Sequence, residues 1–339
     1  MSLRVSLCRY LTDNHSHNNR DTLMFNIFAL ENGRLVKVQP EDIATSKPIW
    51  VDVVAPSEEE RLWVNDTFAI NLPQPEHLRD IEASARFYEE NEELHLRSDF
   101  LLGKESGSRS VIVAFVLAGN ILFSIHDEDL PVFRLFRLRS HAQPGRVANC
   151  QDVLIDLYGS DVEYSADALE EAYADLGETS GTVLKNTLTD KEAAEVLATI
   201  AHAEHVNGRI RRNLMDTRRA ISFLMRSKAL TAEQAEEARQ IMQDIDSLDG
   251  HTAFLFDKIN FLMNSTVGFI NINQNKIVRL FSVAAVALLP PTLVASVYGM
   301  NFRHMPELEW ANGYPFALGL MVVSVLMPLL VFWRKGWLK

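Results

Sequence analysis

From residue 280 to 302, and again from 310 to 333, the chain carries no Asp, Glu, Lys, Arg or His. A helix rising about 1.5 Å per residue needs roughly 20 apolar residues to cross a hydrocarbon core of about 30 Å. Each run is long enough to span a bilayer once, and residues 303–309 are too few to fold between them, which predicts a two-span hairpin. Trp310, Tyr314, Trp333 and Trp337 stand near the ends of the runs, where aromatic side chains collect at membrane–water boundaries. The competing expectation is a pair of core helices in a large soluble protein. Lys276 and Arg279 precede the first run, and Arg334, Lys335 and Lys339 follow the second, whereas the short loop carries Glu307 and Glu309. That asymmetry predicts an inner membrane protein with both ends on the cytoplasmic side. The absence of an apolar stretch in residues 1–20 agrees with this orientation.

The rest of the chain then forms a cytoplasmic portion. Residues 1–22 read as a polar tail, in which His15 and His17 are taken as solvated. Residues 23–150 read as an α/β domain: FNIFAL, LVKV, PIWVDVV, LHLRSDFLL, SVIVAFVL and NILFSIH have strand character and are separated by turn signals such as Glu31-Asn32-Gly33. Ser57 with Glu60 is spaced as a capping box, and Pro75 to Phe87 reads as a further helix. Residues 151–230 form a helical region, expected as helices 151–185 and 189–228 with a break near Gly177 to Thr189. A last helix opens after Thr231, whose N-cap role is suggested by Gln234 three residues on. It runs as a stalk over 231–279 and continues into the first span, 280–302, a rod on the order of 100 Å. The loop 303–309, the second span 310–333 and a basic end 334–339 complete the order.

With 33 basic and 45 acidic residues, a net charge of −12, the chain is unsuited to coating nucleic acid phosphates. Its two cysteines, Cys8 and Cys150, provide neither a disulfide framework nor a C-x-x-C metal site, as expected for a reducing compartment. No phosphate-binding glycine loop, nucleophile elbow or H-E-x-x-H is present, so no enzyme class is indicated. His202 and His205 flank Glu204 on one helical turn, but zinc requires a third ligand from elsewhere.

At the period of a bundled helix, Asn275, Ser282, Leu289 and Ser296 fall on one line of spacing seven. Asn264, Asn271, Val278, Ala285 and Thr292 fall on the adjoining one. Small and hydroxylated residues on a membrane helix serve either close helix contact or a water-filled pore, and the stripe alone leaves both open. A pore requires several copies, because two spans cannot enclose one.

The first span ends in Tyr298-Gly299-Met300-Asn301, followed by Phe302 and then Met305-Pro306-Glu307-Leu308. With PPTLVAS before the motif and Gly313-Tyr314-Pro315 after it, the chain from about Met24 onward resembles the CorA family of magnesium transporters. The resemblance implies an α/β cytoplasmic domain, a long stalk helix and a C-terminal two-helix transmembrane hairpin, assembled as a homopentameric channel. It implies a selectivity ring at Gly299, Met300 and Asn301, and Mg²⁺ as the transported and regulatory ion, with passage of Co²⁺ or Ni²⁺ and no organic cofactor. Mg²⁺ dehydrates reluctantly, so a ring of neutral oxygens suits the hydrated ion, while a carboxylate ring would slow its exit. Ungapped matching from Asn301 places the family's narrow points at Val278, Phe281 and Leu289, leaving open whether Phe281 or Ser282 faces the pore. Glu307 and Glu309 are placed to collect cations at the mouth. Regulatory metal sites in the family use acids between cytoplasmic domains, for which Glu89, Glu90, Asp244 and Asp246 are candidates by charge. The rival readings are a zinc transporter of the same superfamily and a membrane-anchored binding protein without transport.

Overall fold

The computed structural model describes residues 25–73, 86–103, 109–183, 189–301, 305–306 and 310–336. The chain divides into two compact units: residues 1–180 with 198–261, and residues 181–197 with 262–339. The polar tail with His15 and His17 lies outside the described residues, as do Glu307, Glu309, Trp337 and Lys339.

The first unit is built on a seven-stranded sheet: β1 (Phe25–Glu31), β2 (Arg34–Val38), β3 (Pro48–Val54), β4 (Phe87–Glu90), β5 (Glu93–Leu102), β6 (Arg109–Ala118) and β7 (Ile121–His126). Its order is β2-β1-β3-β7-β6-β5-β4. Only the central β3–β7 pair is parallel. The β1–β2 turn places Asn32 and Gly33 at φ 52° and 73°, the left-handed pair that matches the twist of a two-residue hairpin. Period-two alternation sorts the apolar side chains onto two faces. Ile27, Val51, Val53, Val116 and Ile125 join Val64 of α1 (Glu58–Phe68) in one cluster. Ser57 and Glu60 close the expected capping box at the start of α1. On the other face, Trp50, Phe100 and Phe115 meet Phe133 and Phe136 of α2 (Pro131–Ala142) and Tyr158 of α3 (Cys150–Val183), with ring centroids 5.4–6.3 Å apart.

The aromatic face also holds a buried ionic cluster. Asp52 Oδ1 accepts from Ser124 Oγ at 2.7 Å and from His126 Nε2 at 2.9 Å, and Arg137 Nη1 donates to Asp52 Oδ2 at 2.8 Å. His126 Nδ1 lies 2.6 Å from the Glu128 carbonyl oxygen. Both ring nitrogens therefore face groups that only accept, so His126 is held as imidazolium. Burial opposes that charge, but Asp52 and the Glu128 carbonyl outweigh it and raise the His126 pKa above its ordinary value.

After the sheet come α3, α4 (Asp190–Arg226) and α5 (Ala232–Tyr298, 67 residues). Gln234 Oε1 accepts from the Thr231 amide and Thr231 Oγ1 from the Gln234 amide, the expected start of α5. The helix α3 runs on through Gly177, which has open space around it, to Val183, and residues 184–188 of the expected break lie outside the described residues. Of the helix expected over 75–87, residues 75–85 lie outside the described residues, Arg86 is helical, and Phe87 opens β4 against Leu96. A four-residue edge strand is too short to show alternation. The second unit contains residues 262–298 of α5 and α6 (Gly313–Arg334).

Candidate functional site

Both apolar helices meet the length and composition needed to cross a bilayer, and only 11% and 6% of their most apolar stretches are buried. A soluble core helix would be buried over most of its length, so the soluble alternative lacks its main support. Phe281 is 73% exposed and Leu289 66%.

The buried residues of α5 give the candidate pathway its geometry. They fall on two lines of spacing seven: Ala238, Ile245, Thr252, Ile259, Thr266 and Ala287 on one, and Gln234, Ile241, Leu255, Leu262 and Val283 on the other. At 3.5 residues per turn, Asn264, Asn271, Val278, Ala285 and Thr292 lie diametrically opposite this seam. The line through Asn275, Ser282, Leu289 and Ser296 flanks it on one side, and the line through Phe281 and Leu288 flanks it on the other, each about 130° from the seam. Phe281 and Ser282 are thus symmetric about the central line, which explains why spacing alone does not choose between them. All these stripe residues are exposed.

The stripe is less polar than its composition suggests. Ser282 Oγ donates to the Val278 carbonyl at 2.8 Å, and Thr292 Oγ1 to the Leu288 carbonyl at 2.7 Å. Each hydroxyl satisfies its proton on its own helix and leaves lone pairs outward. No side chain on the stripe from Val278 to Ser296 is ionisable.

At the end of α5 the Gly299 amide donates to the Ala295 carbonyl at 2.9 Å and the Met300 amide to Val297 at 3.3 Å, closing the last turn. Gly299, Met300 and Asn301 are exposed. Gly299 does not adopt a positive φ. What it provides is clearance, since a Cβ there would stand 3.0 Å from the Ala295 oxygen.

The acids singled out for regulation are dispersed. Glu89 and Glu90 are exposed on β4, which ends the sheet. Asp246 is paired with Arg218 at 2.7 Å, and its neighbour Asp249 with Arg211 at 3.3 Å. Asp244 lines a groove of about 430 Å³ with Asp156, Glu163 and Glu237. Among the described residues no group of three or more His, Cys, Asp or Glu is placed to hold a metal. Cys150 is buried, which pushes its thiol up to about 11 and leaves it unreactive. Sequence reasoning passed over Glu237 and the row Arg212, Arg219 and Arg226, although the seven-residue spacing of that row is visible in the chain.

Residues 45–335 match the family described as CorA-like Mg2+ transporter protein. The magnesium transport protein CorA of Mannheimia succiniciproducens is 44% identical over 317 residues, covering 93% of this chain and all of that one. CorA of Escherichia coli K12 is 43% identical over 320 residues with the same coverage. The complete CorA magnesium transporter from Methanocaldococcus jannaschii superposes with a TM-score of 0.77 at 20% identity, over 94% of this chain and 100% of that one. The ZntB cytoplasmic domain from Vibrio parahaemolyticus gives 0.56 at 13% identity, over 73% and 97%. At those identities the two structures share a fold with the chain and carry nothing about the ion. The family match and the identity over nearly full length carry more: the chain belongs to the CorA family of Mg²⁺ transporters.

Proposed function

We propose that the protein is a homopentameric channel that takes up Mg²⁺ across the cytoplasmic membrane, with α5 lining the pore and α6 facing lipid. The observation that carries this reading is the exposed, uncharged stripe diametrically opposite the buried seam of α5. Copies arranged around an axis on the stripe side bring Asn271, Asn275, Val278, Ala285, Leu289, Thr292 and Ser296 to the centre, with Phe281 or Ser282 completing the constriction. Lone pairs of Ser282 and Thr292 and the amides of Asn271 and Asn275 offer neutral oxygens to hydrated Mg²⁺, which keeps its waters in preference to protein ligands. Gly299, Met300 and Asn301 form the entry ring, and Glu307 and Glu309 gather cations outside it. Hydrated Co²⁺ and Ni²⁺ share the octahedral shell and pass by the same route. Both ends of the chain face the cytoplasm, and internal Mg²⁺ closes the pore through the acidic first unit. Magnesium is favoured over zinc by the intact Met305-Pro306-Glu307-Leu308 segment and the 44% identity to a magnesium transport protein.

The test is uptake into proteoliposomes of the full chain. Mg²⁺ entry should be blocked by hexaamminecobalt, an inert copy of the hydrated ion, and slowed by Mg²⁺ loaded inside. Entry of Zn²⁺ alone would select the zinc alternative. Asn301→Ala should abolish uptake in a correctly assembled protein, and Gly299→Ala should impair it by pressing on the Ala295 carbonyl. Normal uptake by Asn301→Ala sinks the entry ring. For orientation, Asn312→Cys in a Cys8→Ser, Cys150→Ser background should react with an impermeant thiol reagent added from outside intact cells. Reaction only after permeabilisation reverses the topology.

A further inference from the structure

Two charged surfaces of the first unit are only partly matched among the described residues. Arg212, Arg219 and Arg226 stand two helical turns apart on α4, about 10.5 Å from one to the next. All three are exposed, and none makes an ion pair or hydrogen bond among the described residues; Arg219 is felt by Asp216 only through its field. Arg219 and Arg226 rim an open groove of about 830 Å³ with an apolar floor that includes Phe87 and Phe223. The second surface is the groove between α3 and α5, lined by Asp156, Glu163, Glu237 and Asp244 against a single basic residue, Arg146. Arg146 is held by Asp156, with 2.6 Å from Nε to Oδ2. Among the described residues neither Glu237 nor Asp244 makes an ion pair, although the charge of Arg146 reaches Glu237, and they too are seven residues apart.

The chain cannot join these surfaces itself. On α5, Asp246 and Asp249 occupy the α4 flank, where Arg218 and Arg211 bind them. Glu237 and Asp244 open toward α3, on the opposite flank of the buried seam. The two surfaces are nevertheless at one level. Asn207 Nδ2 donates to the Thr252 carbonyl at 3.1 Å and Ser222 Oγ lies 3.9 Å from Met242 Sδ, so α4 and α5 run antiparallel. Arg219 and Arg226 therefore sit beside the stretch of α5 that bears Glu237 and Asp244. A ring closed around an axis along α5 needs two different, complementary patches at the same height, one on each side of the subunit.

We infer that the Arg219–Arg226 row of one subunit docks into the Glu237–Asp244 groove of the next, so that guanidinium groups of a second copy neutralise the groove. This rests on the ring assembly proposed above. Matched spacing favours the arginine row over a metal ion as occupant. Glu237 agrees with a partly unmet need for a cation: burial raises its pKa first, Asp156 and Asp152 raise it further, and Arg146 only partly opposes them. Arginine suits such a contact, since its fork gives two parallel hydrogen bonds to one carboxylate.

The test is native mass spectrometry of the full chain in detergent. Arg219→Glu with Arg226→Glu should lower the fraction of full oligomer several-fold, as should Glu237→Arg with Asp244→Arg. Combining all four should restore it. Full assembly of either double variant overturns the proposal, as does recovery with millimolar Mg²⁺ but not with the reversed partner, which would assign the groove to a divalent cation. A second measurement leaves every charge in place: Met225→Cys with Gln240→Cys, in a Cys8→Ser, Cys150→Ser background, treated with a short bis-maleimide. A ladder reaching the full oligomer is expected, and the two single-cysteine variants mixed together should stop at lower rungs. Monomers alone from an intact oligomer that still takes up Mg²⁺ would overturn this interface and leave the transport reading standing. A wild-type chain that neither assembles nor transports would fail that reading itself.

Discussion

Leu62 of α1 and Val323 of α6 are each 60% exposed. Leu62 has Glu58 and Glu59 in the same first turns and is a lone apolar residue on a polar surface, which is ordinary. Val323 belongs to a helix with no charge before Arg334, where Phe316, Leu320, Leu326, Met327 and Leu330 are exposed as well. The first unit encloses its own chemistry, down to a buried Asp52 with three side-chain donors. The second leaves its apolar surface to lipid. Equal exposure thus carries opposite meaning, and the setting decides which substitutions hurt.

The largest stability effect is expected where the first unit encloses most. Asp52→Ala leaves the His126 imidazolium and Arg137 facing no carboxylate at the sheet, and removing one member of a buried pair costs about 3–5 kcal/mol. The first unit should unfold at markedly lower temperature, followed by circular dichroism of the purified protein in detergent. An unchanged midpoint would mean that the cluster is incidental to stability.

Next is the pair that opens this comparison. Arg at the centre of a span costs about 2.5–3.5 kcal/mol of insertion, whereas a surface exchange such as Leu62→Arg stays within about 0.5 kcal/mol. Val323→Arg should therefore reduce the membrane-integrated protein on a carbonate-washed blot, and Leu62→Arg should not. Equal yields for both would mean that Val323 does not meet lipid.

Much of this division can be read in the chain, and the reasons differ by element. β3 over Pro48–Val54 coincides with the PIWVDVV run because both faces of a central strand are covered, so the apolar run is nearly continuous. The capping boxes at Ser57 and Thr231 are local and stand where their spacing puts them. The strand β4 escapes, because its partner β5 decides its conformation and four residues show no period. At the candidate pathway, the seven-residue lines are legible, but which side of α5 they occupy is not. That becomes visible only with the burial of residues such as Ile245, Thr252 and Ile259 on the opposite side. Which acids stand free is illegible for a similar reason: a carboxylate's availability depends on its neighbour across helices, and the pairing of Asp246 with Arg218 leaves no trace in local sequence.

The smallest expected effect tests how complete the first unit's enclosure is. Asp161 on α3 is fully buried, accepting from Asn213 Nδ2 at 2.9 Å and from the Leu101 amide at 3.4 Å. Burial pushes its carboxyl up to about 7 from the ordinary 3.8, and the hydrogen bonds from Asn213, Leu101 and Thr217 only partly oppose this. A carboxyl whose folded pKa exceeds its unfolded one favours the fold while protonated. Its contribution is fully present below about pH 4 and is lost as pH rises through about 7. Asp161→Asn removes that loss. The new amide also finds a partner, because Asn213 Oδ1 has none at present and can accept after the Asn213 amide turns over. The variant should gain on the parent between pH 5 and pH 8 by about 2 kcal/mol, at about 1.4 kcal/mol per pH unit up to the folded pKa. His126, with its raised pKa, loses its own contribution in the same direction, so the variant's stability should still fall with pH, only less steeply. Thermal midpoints in detergent at pH 5, 6.5 and 8 decide it: converging curves at low pH support a titrating Asp161, and parallel curves mean that its carboxylate is already ionised in the fold and stabilised by its three donors.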